Sequence, residues 1–167
     1  IAETLFGYNM EELLAFDLPN NVFDEKPEKI VNPSKYLFYE DVFTGNADFT
    51  ASEGFVPYFA KNKKTLERLA KSGGRLKDIY AEYAALCAVL EKKCGMRNRL
   101  RLAYKNEDRK ELVELAKELK AIAVLVEKFE AVYLNRWLSD NKPFGSEIFQ
   151  IRTGGLINRL NFCAERV

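Results

Sequence analysis

Beyond residue 54 the apolar positions recur at steps of three and four, the period of a helix with one buried face. Thr50-Ala51-Ser52-Glu53 fits a capping box. Phe55, Phe59, Leu66, Leu69 and Ala70 follow at helical spacing until Ser72-Gly73-Gly74 closes the segment. A second helix is predicted over residues 75 to about 105, with Leu76, Ile79, Tyr80, Tyr83, Leu86, Leu90 and Cys94 on one face and Gly95 as a kink. Asn106-Glu107-Asp108 caps a third, whose stripe runs through Leu112, Leu115, Leu119, Ile122, Val126, Phe129, Tyr133 and Trp137. After Ala121 its other faces fill with Val124, Leu125, Ala131, Val132 and Leu134, which predicts a place at the bundle centre. Asn141-Lys142-Pro143-Phe144-Gly145 breaks it, and Gly154-Gly155 is expected to precede a final helix carrying Leu156, Leu160 and Ala164.

The first third reads differently. Asn9-Met10-Glu11-Glu12 places a cap before acids, which suits a short helix through about residue 16. Pro19, Pro27 and Pro33 then predict mostly irregular chain from 17 to about 53, with Lys35-Tyr36-Leu37-Phe38-Tyr39 as a short extended piece. An aromatic loop of that length is usually packed against something, and its partner is expected outside this chain. The fold class is therefore all-α: a helical bundle of three to four mostly antiparallel helices with an irregular N-terminal segment. Residues 1–50 form that segment and 51–167 the bundle domain.

Composition narrows the chemistry. The 167 residues suit one domain, and 47% hydrophobic with 31% charged is ordinary for a folded one. A net charge of +1 gives no electrostatic reason to expect nucleic acid or an anionic membrane as partner. With no histidine, Ser-His-Asp and Cys-His sites and imidazole-bound zinc are excluded within the chain. Cys87, Cys94 and Cys163 have no metal-like spacing. The first two would lie roughly 10 Å apart on one helix, too far to bridge. Buried thiols and a reducing, cytoplasmic setting are expected, with no cofactor and no metal. The start Ile1-Ala2-Glu3-Thr4 has no initiator Met and no signal-like segment, which suits a cut made inside a longer protein.

Candidate sites are few. Glu40-Asp41 and Glu147 could serve acid-base chemistry, but their spacing argues only for turn and capping acids. Lys92, Lys93, Arg97, Arg99, Arg101 and Lys105 spread around a helix and read as a solvated end. Gly73-Gly74 and Gly154-Gly155 lack the strand and Lys-Ser/Thr of a phosphate cradle. The densest stretch runs from Trp137 to Gly155. It joins an aromatic anchor, a rigid turn and polar groups able to meet sugar hydroxyls or a partner surface. The bland alternative has Trp137 and Phe144 covering the bundle end, with Arg152 paired to a nearby acid.

Three blocks carry a family resemblance. Trp137, Asn141-Lys142-Pro143-Phe144-Gly145 and Ile151-Arg152-Thr153-Gly154-Gly155-Leu156, with Arg159, resemble the closing signature of the helical C-terminal domain of bacterial family 20 glycoside hydrolases, the β-N-acetylhexosaminidases. Asn32-Pro33-Ser34-Lys35-Tyr36-Leu37-Phe38-Tyr39-Glu40-Asp41, then Gly45, is similar to the passage joining barrel to helical domain, and Phe16-Asp17-Leu18-Pro19-Asn20 to the last turns of the barrel. Thr153 and Ser146 stand where close relatives are expected to carry larger apolar residues. The resemblance implies a parent enzyme that removes terminal N-acetylhexosamine by a substrate-assisted mechanism, with an Asp-Glu pair on a (β/α)8 barrel. A barrel needs about 200 residues or more, so this chain has no room for one, and no catalytic residue is assigned in it.

The reading that follows is a non-catalytic accessory domain, packed on the barrel of its own polypeptide and sharing in subunit assembly, for example as a homodimer. Tyr36, Tyr39, Asp41, Trp137, Asn141, Lys142, Phe144, Glu147 and Arg152 are its candidate interface or pocket-edge residues. The alternative is an independent carbohydrate-binding or protein-interaction helical module.

Overall fold

A computed structural model describes Gly7 and residues 10–22, 32–45 and 54–167. These are helical, with no strand among them. In chain order they are α1 (Met10–Leu14), a 3-10 turn (Ala15–Asp17), α2 (Pro33–Tyr39), α3 (Phe55–Lys71), α4 (Lys77–Lys93), α5 (Met96–Lys105), α6 (Arg109–Asp140) and α7 (Ser146–Arg166). The all-α class holds, with more helices than the three to four expected. The Asn9 cap and the Thr50–Glu53 box lie outside the described residues.

Two helical hairpins make the bundle. α3 packs along α4, α6 along α7, and α4 joins them by packing on α6. Phe59, Leu66, Cys87, Val89, Leu90, Leu115, Leu119, Val126, Leu160 and Cys163 meet in one core. Burial runs nearly all round α4, because α2, α3 and α6 each cover part of it. The central helix is therefore α4, not α6. On α6 burial keeps to the single stripe from Leu112 to Phe129, while Val124 and Ala131 face outward. The apolar residues beyond Ala121 thus supply a second face instead of a bundle centre.

The structure departs from the sequence reading at three further elements. Residues 35–39 are helical: Pro33 opens α2 at its first turn, and Leu37 and Phe38 are buried, so packing overrides the strand preference of the aromatics. The helix expected over 75–105 is two helices, because Gly95 sits at φ 79° and ends the hydrogen-bond ladder at Cys94. Gly154-Gly155 breaks nothing and lies inside α7. Buried Thr153, Leu156 and Leu160 on the inner face hold the helix through the pair.

The N-terminal elements are tied to the bundle by their carbonyls. Tyr58 Oη donates to the Leu18 carbonyl (2.7 Å), and Tyr80 Oη to that of Glu12 (2.8 Å). Phe16 stacks on Tyr80. Lys93 is buried, and its ammonium donates to the carbonyls of Leu37 (2.7 Å) and Glu40 (2.5 Å) at the end of α2. A cation there meets the negative end of the helix dipole. The basic cluster is solvated at Lys92, Arg101 and Lys105, as read, and is turned inward or paired at its other members. Lys93 and Arg97 are buried, and Arg99 is held by Glu111 and Glu118 of α6.

Candidate functional site

The turn between α6 and α7 is built from its own polar groups. Trp137 Nε1 donates to the Lys142 carbonyl (3.0 Å), and the Asn141 amide to that of Trp137 (3.2 Å). Glu147 accepts from the Gly145 N–H (2.6 Å), so this acid caps the start of α7. Gly145 adopts φ 94°, and a Cβ there would sit 3.3 Å from the Trp137 ring. The ring therefore lies against bare backbone. Ser146 Oγ donates to the Pro143 carbonyl (2.6 Å). Thr153 is fully buried, and its hydroxyl lies within hydrogen-bonding distance of Glu130 (2.6 Å) and the Phe149 carbonyl (2.9 Å). Both small residues are thus satisfied where larger apolar ones were expected.

Aromatic rings carry the turn back to α2. Trp137 stacks on Tyr133 (6.0 Å), Tyr133 on Phe149 (3.9 Å), and Phe149 meets Phe129 edge-on (5.7 Å). Phe129 meets Phe38 edge-on (5.2 Å), which in turn meets Tyr39 (4.9 Å). Such contacts add about 0.5–1.5 kcal/mol each beyond area burial. Burial pushes the Tyr39 phenol upward in pKa, and nearby Arg152 pulls it partly back. Tyr39 and Trp137 are therefore joined by one ladder, with the Arg152 charge near its Tyr39 end. Tyr36, one turn earlier on α2, is exposed instead.

Asp41 is half-buried rather than a solvated turn acid. It accepts from the N–H groups of Phe43 (2.8 Å) and Thr44 (2.9 Å), and it pairs with Arg159 Nε of α7 (2.6 Å). Burial raises the carboxyl, but the Arg159 and backbone hydrogen bonds outweigh it and hold its pKa well below the usual carboxylate range. Arg159 lies over the rings of Phe43 and Phe162. Asp41 thus meets an arginine of the closing helix, Arg159. That arginine was visible in the closing motif, but nothing in sequence spacing joins it to a residue 118 positions earlier.

Phe144 at the tip of the turn is 82% exposed, so it does not cover the bundle end. Asn141, Lys142, Glu147 and Arg152 are exposed around it. The candidate residues thus divide into a bonded framework (Tyr39, Asp41, Trp137) and an open rim led by Phe144. Among the described residues no cluster of three or more Cys, Asp or Glu could hold a metal ion. No helix among them is long and apolar enough to cross a membrane.

A family model described as the glycoside hydrolase 20C C-terminal domain matches residues 11–167. The chain belongs to that family. The match spans both the 36–45 segment and the 137–155 turn, so the ladder and the Asp41–Arg159 pair lie within a single C-terminal domain of a family 20 glycoside hydrolase. A search of the curated proteins returned no match.

Proposed function

We propose that this C-terminal domain is the non-catalytic accessory part of a β-N-acetylhexosaminidase, supporting the catalytic barrel and contributing to subunit assembly. The observation that carries the reading is Phe144. A large ring stands in solvent on a turn held by its own hydrogen bonds, with Trp137 bonded across its base. A rigid, exposed aromatic tip of this kind has the form of an interface anchor. Hydrolysis of the terminal N-acetylhexosamine belongs in this reading to the barrel, with the turn against the barrel surface or at the rim of a neighbouring sugar pocket.

The test is made in the full-length enzyme. Phe144→Ala should leave helix content unchanged but lower the enzyme's thermal midpoint, its assembly or its turnover, by about 1.5–3 kcal/mol of lost burial. Trp137→Ala should cost more, because the turn loses its base. Unchanged assembly, stability and turnover in both variants would falsify the reading. Calorimetry of the chain with N-acetylglucosamine oligomers should show no heat. Binding there would mark a carbohydrate module instead.

A further inference from the structure

Charge is divided unevenly along the chain. Residues 1–50 hold 3 basic and 10 acidic side chains, and residues 51–167 hold 23 and 15, so the net charge of +1 conceals segments of −7 and +8. The excess is steepest around α3, where residues 55–77 carry seven basic side chains and a single acid, Glu67.

The helix sorts these cations by face. Phe55, Phe59, Leu66 and Leu69 turn inward. Lys61, Lys64, Arg68 and Lys71 follow at steps of three and four on the opposite side, and all four are exposed. They form a single file about 15 Å long, with neighbours roughly 5–6 Å apart. Lys63 leaves the file to bond Glu91 of α4, and Arg68 already holds Glu11 of α1. Among the described residues Lys61, Lys64 and Lys71 pair with no acid.

Like charges at these spacings work against a helix. The helix dipole offsets this for Arg68 and Lys71 in the last turn, but not for Lys61 and Lys64 in the middle. Elsewhere on the surface the signs are matched, as where Glu114 meets Lys117 and where Glu111 and Glu118 meet Arg99. The α3 file keeps its excess.

We infer that this file binds a single-chain acidic polysaccharide laid along α3. Acids border it on both sides. Glu67 stands on one flank, and on the other runs the segment from Glu11 to Leu18, with Glu11 and Asp17 exposed, held to α3 through Arg68 and Tyr58. A flat anionic membrane or a nucleic-acid duplex would press on those acids, whereas one narrow chain fits between them. No aromatic ring is exposed on α3 for a base to stack on, and Val56 alone is too little apolar surface to enter a membrane. A polymer with an anion on each unit complements evenly spaced cations. Membership of a glycoside hydrolase domain family selects the sugar polymer among such chains. Binding of this kind needs neither the barrel nor subunit assembly, so it stands apart from the proposed function. Neutral N-acetylglucosamine oligomers bring no charge and are still expected to give no heat.

Fluorescence anisotropy of labelled heparin, a linear sulfated polysaccharide, tests this on the 167-residue chain, with neutral dextran as the control. Heparin should bind saturably and dextran should not. Affinity should fall about 20- to 50-fold between about 50 and 200 mM salt, as for three to four neutralised anions on a single strand. Lys61→Glu, Lys64→Glu and Lys71→Glu together should cost at least about tenfold while circular dichroism stays unchanged, since all three side chains are exposed. Lys110→Glu, Lys120→Glu and Lys128→Glu on α6 change the net charge equally and should cost less than about threefold. Absence of heparin binding at the lower salt overturns the inference. Equal losses from the two triple variants overturn it as well, because they would show general attraction and no ridge. Tighter binding of oligo(dT), of polyglutamate or of phosphatidylserine vesicles than of heparin overturns it in favour of a nucleic acid, an acidic polypeptide or a membrane.

Discussion

Asp41 closes its own turn and holds a helix 118 residues further on, so its charge is coupled to two structures at once. Its folded pKa lies below the unfolded value of about 3.9, so the unfolded chain binds more protons between the two. Its contribution to stability is therefore complete above about pH 5 and is lost as pH falls through the folded value. Asp41→Asn should cost about 1–2 kcal/mol at pH 7, the cost of weakening a half-exposed charged hydrogen bond. It should also flatten the fall of the thermal midpoint below pH 4. Calorimetry of both proteins from pH 2 to 7 checks this; equal slopes would show that Asp41 is not the group responsible. Sequence alone placed Asp41 among candidate residues but read it as solvated, because a turn acid and a latch acid look alike until their partner is known. Lys93 was missed for the same reason: its carbonyl partners are backbone atoms of α2, which leave no mark in side-chain identity.

At the scale of elements, the local signals that held are those where cap and periodicity agree. Asp108 accepts from the Glu111 N–H at 3.0 Å at the start of α6, as its place before the Leu112 stripe suggests. Asp108→Ala should cost about 1 kcal/mol and lower the thermal midpoint by about 3 °C. Circular dichroism melts measure the shift, and none would mean water caps the helix equally well. The signals that misled came from residues with two uses. Glycine reads as a stop, yet Gly95 stops a helix by taking positive φ whereas Gly154 and Gly155 stay helical. Tyr36 to Tyr39 carry strand-forming side chains, but a helix buries Leu37 and Phe38 together on α4, and an isolated strand would leave its backbone groups unpaired.

For the whole molecule, bundle class and the outer hairpins were legible because their stripes are long. The centre was not. α4 looked like a one-faced helix because alanines and cysteines, small enough to pack on its other sides, add little to a hydrophobic pattern. Two of the three thiols report on that interior directly. Burial pushes Cys87 up to about 12 and raises Cys163, and all three thiols are buried. At pH 8 a disulfide reagent should therefore find no reactive thiol in the native chain and three after denaturant is added. Rapid reaction of a thiol without denaturant would place it in an opening segment rather than the core.

The anchors of α2 also set an order of events during synthesis. Glu40 must wait 53 residues for Lys93, and Asp41 must wait 118 for Arg159. When residues 32–45 leave the ribosome neither partner exists, and the second emerges within the last helix. The segment that leads from preceding sequence into the bundle can be latched only after nearly the whole domain has been made. An upstream domain would then be free to complete its own folding before the junction between the two becomes fixed.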